Sequence, residues 1–190
     1  MSKELIPEIK ANYAFYNKVL RERKSVFDSL ISIEEIGNNS NVLESNNNIA
    51  HLSLPNAIVL RINVKVNNHN FFQFKLRCTD LCAVPFFRYD SDGDTHRNYD
   101  ESIPLEDQQV PAPHFHYYNE NGINIAYKTP SLLDENETKA LEDINICIKH
   151  FCHEANLRLN DDDFPEIQIL PGQIPLKVTS DDPNSNVNFI

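Results

Sequence analysis

Apolar residues keep one period through the first part of this chain and another afterwards. From Lys3 to Ile36, the residues Ile9, Tyr13, Tyr16, Leu20, Phe27 and Leu30 return at spacings of three, four and seven, which gathers them on one helix face. Pro7 suits the first turn, where its missing N–H leaves no bond unmade, and Gly37 is the stop. The NNSNVLESNNN that follows has no period and reads as a polar connector. From Ile49 the period is two. Leu60, Ile62, Val64 and Val66 alternate with polar residues, and so do Phe72, Phe74 and Leu76, which predicts a hairpin with one buried face. A two-residue Asn67-Asn68 loop would set Phe72 opposite Asn63. A three-residue loop, Asn67 to His69, sets Val64 opposite Phe72 and Ile62 opposite Phe74; it keeps the apolar set together and is preferred, with an Asn in the left-handed region.

A strand over Cys82 to Tyr89 follows, and Pro85, which has no ladder donor, puts it at an edge or a bulge. Pro113–Asn119 and Ile123–Lys128 form a second hairpin around Asn121-Gly122, whose two-residue turn sets His116 opposite Tyr127 and Tyr118 opposite Ile125. Asp134 and Glu137 have capping-box spacing, and Leu141, Ile144, Ile148, Phe151 and Ala155 form a stripe, predicting one long helix over 134–156. Ile167, Ile169 and Leu170 add a strand, and 180–190 is a loose tail. The sum is an α+β fold: an antiparallel sheet of about five or six strands, an N-terminal helical segment (1–36), an α+β domain (49–179) with the long helix packed on the sheet, and the flexible tail (180–190).

Composition narrows the partners. With 17 Lys and Arg against 28 Asp and Glu, the net charge is -11, so the whole chain repels polyanions at long range and any nucleic-acid contact needs a local basic patch. The one dense basic run, Arg21-Glu22-Arg23-Lys24, reads as a solvated helix face. An acidic surface, including Asp161 to Asp163, could instead occupy a basic partner protein. MSKELIPEIK is not a secretory signal, and no run approaches the ~18 apolar residues of a membrane span, so a cytoplasmic chain with Cys78, Cys82, Cys147 and Cys152 reduced is expected.

The chemistry is concentrated in residues 86–128. His114 and His116, two apart in a strand, project from one face with Tyr118. Two imidazoles so placed can act as an acid and base pair on a phosphodiester with no cofactor, or chelate a metal. His96 is the third member; Arg88, Arg97 and Lys128 are the cations for a phosphate, and Tyr118 a hydrogen-bond donor to substrate. The metal alternative is zinc or another transition metal on His114, His116 and His96. The acidic loop Asp90-x-Asp92-Gly93-Asp94 lacks the glycine position and twelfth-position glutamate of a calcium loop and reads as a solvated turn. Cys147 and Cys152 fall about 140° apart on a helix and do not share an ion. His150 and His153 lie off the helix's apolar stripe and are expected to be exposed.

The pattern Arg88-Tyr89-Asp90, then His96-Arg97-Asn98, then Pro113-His114-Phe115-His116 resembles one found in uncharacterised bacterial and prophage proteins, and is similar more loosely to the TumE-like toxins of toxin–antitoxin pairs. The resemblance implies a site of Arg88, His96, His114 and His116 and a conflict role, toxin or counter-defence, directed at RNA. The expected function is therefore binding or cleavage of an RNA or nucleotide phosphodiester by the histidine cluster. The alternatives are a non-catalytic acidic inhibitor docking on a basic, nucleic-acid-binding protein, and a histidine-ligated metal enzyme.

Overall fold

The computed structural model describes residues 5–35, 41–54, 57–99, 103–160 and 163–170; Gly37, Asp161, Asp162 and the 180–190 tail lie outside them. Two short helices, α1 (Pro7–Ala11) and α2 (Tyr13–Arg21), precede strands β1 (Lys24–Val26), β2 (Leu30–Glu35), β3 (Val42–His51), β4 (Ile58–Lys65), β5 (Asn68–Cys78) and β6 (Phe87–Asp90). A small pair, β7 (His96–Arg97) and β8 (Gln109–Val110), leads to β9 (His114–Tyr118) and β10 (Asn124–Tyr127). Helices α3 (Pro130–Leu133), α4 (Glu135–Ala140) and α5 (Ile144–Glu154) come next, then β11 (Leu157–Arg158) and β12 (Glu166–Ile169). The architecture is α+β, as expected, but the main sheet is larger: β10-β9-β6-β5-β4-β3-β1-β11, with β2 on β3 and β12 on β2. Its pairings are antiparallel except β1 with β11 and β2 with β12.

The helical reading of 1–36 holds only to Arg21. Burial alternates within each strand, Lys24 and Val26 in β1 and Ile31 and Ile33 in β2, whereas Phe27 and Leu30, the last members of the supposed helical stripe, are 69% and 50% exposed. Lys24 is not part of a solvated basic face. It is fully buried, and Nζ donates to the carbonyls of Leu20 (2.9 Å), Glu22 (2.8 Å) and Ala155 (2.9 Å), using all three donors to tie the ends of α2 and α5 together. The expected connector after Gly37 is largely β3: Val42 to Ile49 pair residue by residue with Lys65 to Ile58. Leu43 and Ile49, both buried, anchor the ends, and the ladder carries the asparagines between them.

The first hairpin has the expected pairs, Val64 with Phe72 and Ile62 with Phe74. A register shift beyond Val64 pairs Lys65 with Asn68, so a bulge takes up the extra residues, and the loop holds no left-handed Asn among the described residues. Strand β6 is interior, between β5 and β9, because Pro85 stops short of the ladder. The second hairpin is one residue out of the expected register. Asn119 N–H bonds to Ile123 O (3.0 Å) and Gly122 takes φ +70, so the loop has three residues and His116 faces Ala126 rather than Tyr127. The long helix is likewise divided: Asp143 accepts from the N–H groups of Asn145 (2.8 Å) and Ile146 (3.3 Å) and caps α5 afresh.

Gly122 also receives the N-terminus. Ile6 N–H donates to Gly122 O at 2.8 Å, and a Cβ on residue 122 would collide with the Ile6 carbonyl oxygen. Gly122→Ala is expected to lower the unfolding free energy, read from urea melts, by about 1–2 kcal/mol for the left-handed backbone alone and more for the collision. Nearby, the Tyr16 hydroxyl donates to Phe86 O (3.1 Å) and accepts from Tyr118 N–H (2.8 Å), replacing a ladder bond between β6 and β9.

Cross-strand partners share a face, so the pairings sort the sheet. On one side the ladder Ile62, Phe74, Tyr89, Phe115, Tyr127 meets Phe151 of α5, whose ring centroid lies 5.2 Å from Phe74, 5.6 Å from Phe87 and 6.3 Å from Phe115. This is the core. The opposite side carries two polar ladders: Glu44, Asn63, Gln73, Asp90, His114, and beside it Asn46, Arg61, Lys75, Arg88, His116.

Candidate functional site

The two polar ladders place Arg88 and Asp90 of β6 directly opposite His116 and His114 of β9. A carboxylate, an arginine and two imidazoles are thereby held on rigid strands, supported from beneath by the aromatic core. The atoms converge on one carboxylate oxygen: Asp90 Oδ2 lies 3.1 Å from His116 Nε2, 3.8 Å from His114 Nε2 and 3.0 Å from Arg88 Nε. The two imidazole centroids are 4.5 Å apart. His114 and His116 are 2% and 3% exposed, and Asp90 7%. Its Oδ1 is buried with no hydrogen-bond partner among the described residues.

Hydrogen bonding fixes the state of His116. Arg88 Nη2 lies 2.9 Å from His116 Nε2, and a guanidinium can only donate, so Nε2 accepts and carries a lone pair. The ring proton is then on Nδ1, which donates to Asn124 Oδ1 at 2.9 Å. A lone pair and a carboxylate oxygen 3.1 Å apart repel unless a positive group lies between or beside them. Here Arg88 supplies it.

The loop between β6 and β9 delivers His96. Asn98 pairs with the outer edge of β10, giving Nδ2–H to Ala126 O and accepting Ala126 N–H, each at 2.8 Å. His96 is thereby set with its ring 4.9 Å from His116 and 6.4 Å from His114, its Nε2–H directed at Asn124 O (3.3 Å). A cavity of about 220 Å³ lies over the cluster, lined by His96, His114, His116, Arg88, Asp90 and Gln73, with Asp92, Gly93, Asp94 and Phe71 at its walls.

Of the residues expected in the site, the structure therefore gathers His96, His114, His116 and Arg88. It does not gather the rest. Arg97 alternates away from His96, bonding Gln108 Oε1 (3.1 Å) and stacking over Tyr99. Tyr118 is buried edge-on to Tyr16 (6.2 Å), and neither it nor Lys128 lines the cavity. Three contributors were missed. Asp90 was signalled by its two-residue spacing from Arg88 but was read as the start of a loop; Gln73 and Asn124 could be found only from the register. His150 is half-buried, its Nε2 3.0 Å from the Thr129 hydroxyl, while His153 is exposed; the four cysteines are buried and free.

Charge follows geometry. Burial alone would raise the Asp90 carboxyl, but its close surroundings, the Arg88 guanidinium with His116 and His114 beside it, hold it below its ordinary value. Burial, with the neighbouring His116, pushes His114 down to about 4 against the pull of Asp90, leaving it a neutral imidazole at pH 7. In both cases the unfolded chain binds more protons than the fold as the pH drops. The His114 contribution to stability is complete above its ordinary 6.5 and is lost toward about 4; that of Asp90 is complete above its ordinary 3.8 and is lost below it. Metal-free protein is expected to show a lower urea midpoint at pH 4.5 than at pH 7. An unchanged midpoint would contradict this assignment.

Among the described residues no helix is long and apolar enough to cross a membrane. No known protein family, no curated protein and no solved structure matches the chain.

Proposed function

We propose that Asp90, His114 and His116 form a divalent transition-metal centre that hydrolyses a phosphodiester of RNA or a nucleotide, in the bacterial or phage conflict role to which the Arg-Tyr-Asp and Pro-His-x-His pattern points. The observation that carries this is the convergence of Asp90, His114 and His116, whose ligand atoms all lie within 4.8 Å of one another. Two neutral imidazoles and a carboxylate are the donor set of hydrolytic zinc and of facial-triad sites with open positions. The Asn124 contact to His116 Nδ1 is the outer-shell bond that fixes a ligating tautomer. Asp90 takes the ligand place given above to His96.

Acid and base work by His114 and His116 alone is less well served, because both nitrogens of His116 are held by the protein. A bound ion would polarise a phosphoryl oxygen and activate a water. Arg88, 29% exposed along its side chain, can swing from Asp90 and His116 onto the phosphate and so release the ligands. His96, at the cavity wall, is placed to pass a proton to the leaving oxygen.

Elemental analysis and hydrolysis of a labelled oligoribonucleotide test the proposal together. Purified protein should retain about one equivalent of a transition metal per chain, lose it in His114→Ala/His116→Ala, and stop cutting when chelated. Undiminished cutting by demonstrably metal-free protein would overturn it.

A further inference from the structure

The face that carries Asp90 and His114 extends past the cluster. The pairing register sets Arg61, Lys75 and Arg88 side by side on three neighbouring strands, although like charges opposite one another across a sheet are destabilising. Arg77 stands two residues beyond Lys75 on β5, and Lys65 closes β4. Part of this charge is met internally: Arg61 Nη2 bonds the Glu44 carboxylate, while Lys75 Nζ reaches the neutral Asn63 Oδ1 at 3.2 Å. Lys65 is exposed, its Nζ 5.1 Å from the centroid of Phe71. Burial, and then the nearness of Arg88 and Arg61 against the pull of Asp90, moves the Lys75 ammonium below its ordinary value. The cations line an open cleft of about 680 Å³, which shares Phe71, Gln73 and Arg88 with the cavity over the histidines.

On a chain of net charge -11, such a face must attract its ligand locally. We propose that the cleft is the track for a single strand of nucleic acid, its phosphates on Lys65, Arg61, Lys75 and Arg88 and one phosphodiester delivered to Asp90, His114 and His116. A basic groove with an aromatic platform is how single strands are held without sequence preference. Phe71 offers the ring and Gln73 an amide to exposed base edges, the Asn63 amide being engaged by Glu44 and Lys75. An acidic polypeptide would meet the cations and leave the ring and amide unused; a duplex would hide its bases from both. What happens to the strand rests on the metal-centre reading, whereas its binding rests on the cation ladder alone.

The test is fluorescence anisotropy of a labelled 12-nucleotide single strand with the full chain, in chelator so that nothing is cut. Binding is expected at 50 mM salt, weaker by about 50-fold at 200 mM, the single-strand salt dependence of about four phosphate contacts. Arg61→Gln/Lys75→Gln should bind at least about tenfold more weakly, and Lys10→Gln/Lys18→Gln, whose exposed side chains lie outside the cleft, as well as wild type. Because Arg61→Gln/Lys75→Gln could unfold, acetylation of wild-type lysines is followed as well: the strand should protect Lys65 and Lys75 and leave Lys10 and Lys18 unchanged. No binding at 50 mM salt, absence of that protection, or equal competition by a polyglutamate or a duplex of matched charge would overturn the track. Binding with this protection, but without any metal-dependent cutting, would support the track and overturn the metal-centre reading alone.

Discussion

Asp90→Asn is expected to fold and to lose phosphodiester hydrolysis by about 10³-fold. The carboxylate is the point on which His114, His116 and Arg88 converge, and an amide in its place can neither neutralise an ion nor hold Arg88 as a charge pair. A Lewis-acid centre contributes several kcal/mol of charge stabilisation, which at about 1.4 kcal/mol per decade amounts to a loss of that order. Asn124→Ala gives a graded comparison. It leaves every ligand in place but frees His116 Nδ1, so metal affinity should fall about 10–100-fold. Both variants are read by metal titration and by initial rates. An Asp90→Asn protein with wild-type rate would remove Asp90 from the centre.

The largest effect on stability is expected from Phe151→Ala. The side chain is fully buried between α5 and the sheet and touches Phe74, Phe87 and Phe115. Its removal should lower the unfolding free energy by about 3–5 kcal/mol, the range for emptying a buried aromatic site. Leu133, 72% exposed, is the control, with an expected change within about 0.5 kcal/mol. Equal urea midpoints for the two variants would show that the sheet is not sealed where the aromatic ladder meets α5.

How far the chain could be read depended on whether the information was local. The alternation in Leu60–Val64 and Phe72–Leu76 fixed the two core strands and their pairing, because only one register keeps both apolar sets on one face. His114 and His116 were legible for the same reason. The Asn121-Gly122 turn is legible in the sequence, but its length is not: Asn119 N–H bonds to Ile123 O, which makes the loop three residues, and Ile6, far away in sequence, docks on Gly122. That single step changed the partner of His116 from Tyr127 to Ala126. Phe27 and Leu30 fit a helical period by chance, and β1 and β2 are too short, with two buried residues each (Lys24 and Val26, Ile31 and Ile33), for a period of two to stand out against it. The cation ladder has no local signature, because Arg61, Lys75 and Arg88 are dispersed along the chain and meet only through register, whereas the one dense basic run contains a lysine that folding buries.

The centre itself is tested most directly by X-ray absorption on zinc-loaded protein. Two imidazole nitrogens and carboxylate or water oxygens at about 2.0–2.2 Å are expected, with the imidazole signal lost in His114→Ala/His116→Ala. Zinc that fails to bind stoichiometrically, or binds without imidazole in its shell, would contradict the account.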